Sequence, residues 1–147
     1  MNILVDTDAL LALVNPTDAL HDQAKALLIE LHTKGVIFSL LPTTISEFAL
    51  LASSRIGLSK TQSVLEVWTQ GHGKTILEID TDLIDLALKM YKKQTSKEES
   101  LFDCFIIAAF QTYQFDGLFS FDKGYKKIRQ QSLNITLVSE LFPNINW

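Results

Sequence analysis

The chain has 147 residues, about the length of one domain, and its 47% hydrophobic and 20% charged residues exclude a disordered protein. A single cysteine, Cys104, excludes an internal disulfide, and no apolar run approaches the roughly 20 residues of a membrane span. The formal net charge of −4 argues against a protein that binds nucleic acid through a basic surface alone. Because the N-terminus also lacks the basic segment of a signal peptide, we expect one cytoplasmic domain over residues 1–147.

Short apolar segments alternate with helical patterns along the whole chain. In chain order they predict a strand over residues 3–5, helices over 9–14 and 18–33, a strand over 36–41, helices over 45–53 and 59–70, a strand over 75–79, helices over 83–93 and 100–113, a strand over 117–120, a helix over 124–130 and a strand over 135–138. This alternation predicts an α/β fold, a three-layer sandwich with a mostly parallel central sheet. In such sheets, ligands bind beyond the carboxyl ends of the strands.

Acids follow three of the predicted strands at this edge, and Asp80, after the third, is interpreted as the entry to the next helix. Asp6 comes directly after the first strand, and Asp122 lies just beyond the fourth. Because the carboxyl ends of parallel strands meet at one edge of the sheet, we expect the two carboxylates to approach each other. Each also has a purely structural interpretation. Asp6 would cap the next helix, although Asp8 is the favoured cap, and Asp122 would be a turn residue.

Two further acids lie near predicted helix starts. Asp103 belongs to the segment LFDCFIIAAF, which is apolar on nearly every side and should be buried, where an unpaired carboxylate is costly. A capping box, Ser100-x-x-Asp103, explains this acid equally well. Thr44-x-x-Glu47 has the same spacing, and taken singly Glu47 is better explained as part of a cap. A cap does not exclude a site, because the helix dipole helps to keep first-turn acids ionised.

Taken together, these segments resemble the PIN domain, a nuclease fold that includes the toxin half of many prokaryotic toxin–antitoxin pairs. ILVDTDALLAL resembles the family's first-strand motif, with the first acid at Asp6, and TTISEFALL carries the helical acid at Glu47. SLFDCFIIAAF carries the third acid at Asp103. DGLFSFDKGYKK places Ser120 in the hydroxyl position and the fourth acid at Asp122. The order and spacing of these motifs across essentially the whole chain are more specific than any one of them.

The chain departs from the family pattern at Asp8, where such domains more often carry Ser or Asn. The extra acid would cap a helix or add charge to the site. Ser120 in place of the more usual Thr is a mild change.

Crowded carboxylates need proton uptake or cations, and Mg²⁺ or Mn²⁺ is the natural partner because both ions favour oxygen ligands. The resemblance implies the same chemistry, a Mg²⁺-dependent endoribonuclease that hydrolyses RNA phosphodiester bonds by metal-assisted hydrolysis. It assigns the metal to Asp6, Glu47, Asp103 and Asp122. Ser120 would hydrogen-bond an acid, a water or a phosphate.

The resemblance also implies partners. It makes the chain the toxin component of a type II toxin–antitoxin system, with an RNA substrate that for such toxins is often transfer RNA. It further implies a cognate antitoxin protein that covers the acidic groove, and a homodimer formed by helices of the N-terminal half.

Basic residues concentrate late in the chain. Residues 89–129 hold eight basic and five acidic residues, a net charge of +3. Lys123, Lys126 and Lys127 closely follow Asp122, and Lys97 precedes Asp103. These lysines are candidates for contacts with the phosphates that flank the cleaved bond. The alternative for each is an ordinary solvated helix face or loop.

Two other functions are compatible with parts of the sequence. A strand that ends in Asp6-x-Asp8 also resembles the first motif of haloacid-dehalogenase-like phosphatases, with Asp6 as nucleophile and Asp8 as general acid. That interpretation leaves Glu47 and Asp103 unexplained, and no Gly-Asp-x-x-x-Asp-type segment is present. The other alternative is a non-catalytic PIN-like module that binds RNA, against which the presence of all four acids argues.

Overall fold

A four-stranded parallel sheet lies at the centre of the protein. The computed structural model describes residues 1–95, 99–128 and 135–143, with the backbone alone at residues 127 and 128. The strands are β1 (Asn2–Val5), β2 (Ile37–Leu40), β3 (Lys74–Ile76) and β4 (Gly117–Phe119), in the spatial order β3–β2–β1–β4. Each neighbouring pair in this order is parallel. The predicted α/β class with a parallel sheet is therefore confirmed.

Strand β1 lies inside the sheet, and its side chains alternate between two hydrophobic cores. Ile3 and Val5 pack into one core and Leu4 packs into the other, and none of the three is exposed to solvent. This alternation is the period of two that strand geometry imposes. Because helices cover both faces of the sheet, the sequence of β1 over residues 3–5 is a continuous apolar run instead of an alternating one.

Helices cover both faces of the sheet and complete the predicted three-layer sandwich. One face carries α1 (Thr7–Val14), α2 (His21–Thr33), α3 (Pro42–Arg55) and α4 (Leu58–Gln70), and the other carries α5 (Thr81–Lys93) and α6 (Leu101–Thr112). Two short helices follow β4, namely α7 (Gly124–Ile128) and α8 (Val138–Leu141). Among the described residues, no helix combines the length and the apolar composition that crossing a bilayer requires.

The last predicted strand, over residues 135–138, is wrong. Leu118 of β4 forms an isolated parallel bridge with Leu137, and the Leu118 N–H donates to the carbonyl of Thr136 at 2.8 Å. Helix α8 then begins at Val138. The apolar residues of this segment are buried, and burial alone produces the apolar pattern that predicted a strand.

The second predicted helix starts three residues later than expected, at His21. The Asp18 carboxylate accepts a hydrogen bond from the N–H of Leu20 at 2.9 Å. Such a local bond from an Asp side chain to the backbone two residues on closes a turn and competes with helix formation.

Substitution of Leu118 tests how much the packing of β4, the strand that leads to the predicted site, contributes to the free energy of unfolding. Leu118→Ala should lower the free energy of unfolding by about 2–5 kcal/mol, because the leucine is fully buried and its removal leaves a cavity. Leu50→Ala, at a position 70% exposed on α3, is the matched control and should change it by less than about 0.5 kcal/mol. Denaturant unfolding of both variants measures the difference. Small and equal losses of unfolding free energy in the two variants would contradict the burial of Leu118.

Candidate functional site

The carboxyl edge of the sheet collects the residues that the sequence motifs single out. Asp6 follows β1 directly, and Ser120 and Asp122 follow β4. Because β1 and β4 are parallel neighbours, the chain leaves both strands at the same edge. Helix α3 begins just after β2 at this edge and carries Glu47, and the first turn of α6 carries Asp103.

Asp6 is the most buried of these acids, with 7% of its surface exposed. It occupies the N-cap position of α1, where its Oδ1 accepts from the N–H of Thr7 at 2.7 Å. Its Oδ2 accepts from the hydroxyl of Ser120 at 2.9 Å. Burial, together with the negative charges of Asp8 and Asp103, raises the pKa of Asp6 well above its ordinary value, although these hydrogen bonds oppose the shift. Asp6 is therefore held in place with little access to water.

The prediction that Asp8 caps α1 is wrong, because Asp6 occupies that position and Asp8 lies within the first turn. The Asp8 Oδ2 reaches across to the segment after β4 and accepts from the N–H of Phe121 at 2.8 Å. Its Oδ1 is buried and has no hydrogen-bond partner. Burial, with a smaller contribution from the charge of Asp122, raises the pKa of Asp8 to about 6. The extra acid thus adds charge to the site.

Glu47 does not form the predicted capping box with Thr44. Helix α3 begins at Pro42 with Leu41 as its N-cap, so Thr44 lies inside the first turn. Proline suits the first helical position because its missing N–H would be unpaired there anyway. Glu47 instead accepts from the hydroxyl of Thr7 at 2.6 Å. Burial, and to a lesser degree the charge of Asp103, raises its pKa.

Asp103 forms the predicted capping box with Ser100, which is confirmed. The Asp103 N–H donates to the Ser100 Oγ at 3.2 Å, and the Ser100 N–H donates to the Asp103 Oδ2 at 2.7 Å. The same carboxylate raises the pKa of both Asp6 and Glu47 by charge repulsion. The helix cap and the acidic site therefore share one side chain.

Tyr125 of α7 is a residue of this site that the sequence did not single out. Its hydroxyl donates to the Asp103 Oδ1 at 3.1 Å, although only 2% of the residue is exposed. Burial and the nearby carboxylates of Asp6 and Asp103 raise the pKa of Tyr125, which keeps the phenol protonated as a donor. Its neighbours in the sequence are lysines and a glycine, so no local pattern indicates its burial, and its hydroxyl contact depends on the tertiary fold.

Ser120 and Asp122 form the loop that follows β4. The Ser120 Oγ donates to Asp6 and accepts from the N–H of Asp122 at 3.0 Å. Asp122 is exposed, and its Oδ1 accepts from the N–H of Gly124 at 2.7 Å. The interpretation of Asp122 as a turn residue therefore describes its present contacts. Its charge also contributes to the raised pKa of Asp8.

The acids interact with one another more than with any cation. Charge repulsion links Asp6 to Asp8, Asp6 to Asp103, Glu47 to Asp103 and Asp8 to Asp122. Within the described ranges, no Lys, Arg or His forms an ion pair with any of these acids, and the ion pairs Lys34–Glu30 and Lys126–Glu140 lie elsewhere. The chemistry of this donor set fits a hard divalent cation such as Mg²⁺ or Mn²⁺. The unpartnered Oδ1 of Asp8 fits the same requirement.

The present side-chain positions do not close a metal-binding cluster. In the part of the chain that the structure describes, no three Asp, Glu, His or Cys side chains form a group that could hold an ion. Both oxygens of Asp103 and one of Asp122 accept hydrogen bonds from nearby donors. Asp6, Glu47, Asp103 and Asp122 thus share one edge of the sheet, but they do not converge on a single point.

The predicted substrate-binding lysines divide into two groups. Lys123 is exposed in the turn after Asp122, and the exposed Lys126 lies 4.0 Å from Glu140. Lys97 and the side chain of Lys127 lie outside the described residues. The solvated positions of Lys123 and Lys126 agree with both interpretations of these residues, so their role stays a prediction.

Comparison with known proteins gives a family and a similar fold. A family model of the PIN domain matches residues 3–131. The crystal structure of Mycobacterium tuberculosis VapC20, a sarcin-ricin loop cleaving toxin, is similar, with a TM-score of 0.76 and 21% sequence identity over 86% of this chain and 94% of that chain. A comparison with curated protein sequences gives no match.

The buried acids predict how the stability of the metal-free protein depends on pH. Because the pKa of Asp8 is raised to about 6, and those of Asp6 and Glu47 are raised too, the folded state binds protons more tightly than the unfolded chain. In a chelator, the contribution of these three acids to the free energy of unfolding should therefore be greatest below pH of about 4 and fall by roughly 1–3 kcal/mol as the pH rises through about 6.

Denaturant unfolding between these pH values tests this prediction. Asp8→Asn should flatten the pH dependence, whereas Asp22→Asn, at an exposed position in the first turn of α2, should leave it unchanged. A wild-type protein that becomes more stable as the pH rises would contradict the predicted direction.

Proposed function

This chain belongs to the PIN domain family of nucleases, and we propose that it is a Mg²⁺-dependent endoribonuclease that acts as the toxin component of a type II toxin–antitoxin system. One observation carries the proposal. Asp6 is buried and is repelled by the charges of Asp8 and Asp103, and no basic side chain of the described residues forms an ion pair with it. Crowded carboxylates need proton uptake or a cation, and a divalent cation is the partner that the chemistry of these oxygen donors fits.

We assign the metal to Asp6, Glu47, Asp103 and Asp122, directly or through water. When bound, a divalent cation promotes formation of hydroxide from water and stabilises negative charge on the phosphate and the leaving oxygen. Its charge also explains how a protein with a net charge of −4 accepts a polyanion.

Hydroxyl groups orient the carboxylates before any ligand arrives. Ser120 donates to Asp6 and holds the backbone of Asp122, and Thr7 donates to Glu47. These bonds link β1, β4 and α3, so the acids of three separate elements keep a defined relation to one another. The lysines Lys97, Lys123, Lys126 and Lys127 are proposed to contact phosphates that flank the cleaved bond.

The proposed partners are a structured RNA, a cognate antitoxin and a second copy of the chain. The similarity in fold to VapC20, a toxin that cleaves the sarcin-ricin loop, supports a structured RNA as substrate, and transfer RNA is the other candidate. A groove between α2 and α4, lined in part by Leu28, Ile29 and Val67, supports the proposal of a homodimer through N-terminal helices. Ile29 and Val67 are 64% and 62% exposed, so together with the groove they form an apolar surface that a second copy would cover.

Substitution of Asp103 tests the assignment as a nuclease. Wild-type protein with Mg²⁺ should cleave total cellular RNA at defined sites, and Asp103→Asn should reduce the rate by at least about 100-fold, because the acid holds the metal. Asp22→Asn, an exposed acid on α2, is the matched control and should cleave like wild type. Gel electrophoresis over a time course measures the rate, and sequencing of the new RNA ends identifies the site.

Three kinds of result, from this experiment and from a separate test with fluoroberyllate, would contradict the proposal. Cleavage that survives in Asp103→Asn, or in excess chelator, would exclude the metal nuclease. Binding of RNA without cleavage would favour the non-catalytic module. A complex of fluoroberyllate with the Asp6 carboxylate, which mimics an acyl-phosphate, would favour the phosphatase. The toxin assignment further requires that expression of the wild type, but not of Asp103→Asn, slows bacterial growth.

A charged residue introduced into the exposed apolar groove between α2 and α4 tests the proposed homodimer. Ile29→Glu should shift the protein from dimer to monomer, because burial of an unpaired carboxylate in an interface is costly. Tyr91→Glu, on α5 at the opposite face of the sheet, is the control and should stay dimeric. Light scattering after size-exclusion chromatography measures the mass. A wild-type monomer would contradict the dimer and leave the nuclease assignment intact.

A further inference from the structure

The hydroxyl of Tyr125 is a buried polar group that the proposed function does not use. Packing does not require it, because the ring lies in the apolar core on the α5–α6 side of the sheet, together with Leu83, Leu118 and Ile135. Its oxygen lies 3.1 Å from the Asp103 Oδ1. A phenylalanine would fill the same space, so the hydroxyl must be explained by the carboxylate that it contacts.

Tyr125 and Ser100 together determine the orientation of the Asp103 carboxylate. The Ser100 N–H donates to Oδ2 at 2.7 Å, and the Tyr125 hydroxyl donates to Oδ1. A carboxylate that is held at both oxygens cannot rotate without losing a bond. Each oxygen still has a second lone pair with which it can meet a ligand.

The same contact ties α7 to α6. Tyr125 lies three residues after Asp122, so the loop that carries this acid is anchored at both ends. Its beginning is held by Ser120 on Asp6 and by the N–H of Phe121 on Asp8, and its end is held by Tyr125 on Asp103. The segment 120–125 thus bonds to the acid that follows β1, to Asp8 of α1 and to Asp103 of α6.

We infer that Tyr125 is a positioning residue for the proposed metal site. The Tyr125 hydroxyl fixes the orientation of the Asp103 carboxylate and aligns the loop that carries Asp122 with that carboxylate. The inference rests on the proposed function, because it concerns the same acids. Donors that orient metal-binding carboxylates typically change metal affinity about 10–100-fold when they are removed.

Titration calorimetry with Mn²⁺ alone tests the inference without RNA. Tyr125→Phe should raise the dissociation constant for Mn²⁺ by about 10-fold or more. Tyr113→Phe, at the C-terminal end of α6, removes a hydroxyl that lies 3.4 Å from the carbonyl of Glu78, and this matched control should bind like wild type. The Mg²⁺ concentration for half-maximal RNA cleavage should rise by the same factor in Tyr125→Phe. Circular dichroism in chelator establishes that both variants are folded.

A double-mutant cycle provides an independent test. If the hydroxyl acts through Asp103, then adding Tyr125→Phe to Asp103→Asn should change Mn²⁺ affinity no further. Additive losses would overturn the inference, as would unchanged or tighter Mn²⁺ binding by Tyr125→Phe alone. If the wild-type protein binds Mn²⁺ and cleaves RNA while either of these results is obtained, the inference about Tyr125 is wrong and the proposed function stands. Wild type that binds no Mn²⁺ would overturn both.

Discussion

Negative charge buried at the carboxyl edge of the sheet is the constraint on which the arrangement of the site depends. The parallel pairing of β1 with β4 brings Asp6 and Ser120 together, and burial then requires that each oxygen of Asp6 meets a donor. Thr7 serves two acids at once, since its N–H donates to Asp6 and its hydroxyl to Glu47. The donors orient the carboxylates but do not neutralise them, and the remaining repulsion is what a cation would relieve.

Much of this arrangement follows from local sequence patterns. The run Ile3, Leu4 and Val5 predicts a strand buried on both faces, and an acid directly after such a strand falls at the ligand-binding edge of a parallel sheet. Ser100-x-x-Asp103 predicts a capping box because both partners lie within one helical turn. Where the interaction is confined to a few neighbouring residues, the sequence is sufficient.

The remaining features depend on contacts between residues far apart in the chain. Thr44 and Glu47 have the spacing of a cap, but Pro42 starts the helix earlier, and Glu47 finds its donor on α1. Asp8 resembles a cap in the sequence, yet its partner is Phe121 of the segment after β4. No pattern within a window of a few residues can distinguish these outcomes, because the competing partners have similar local chemistry.

The edges of the sheet limit how this protein can associate with other chains. Strand β3 has three residues and begins with Lys74, and short, charged edge strands disfavour edge-to-edge aggregation. On the other side, the bridge from Leu118 to Leu137 occupies part of the free edge of β4. A strand of another chain therefore has few backbone groups to hydrogen-bond at β3 or at β4. Association with other chains is then favoured at the helical faces.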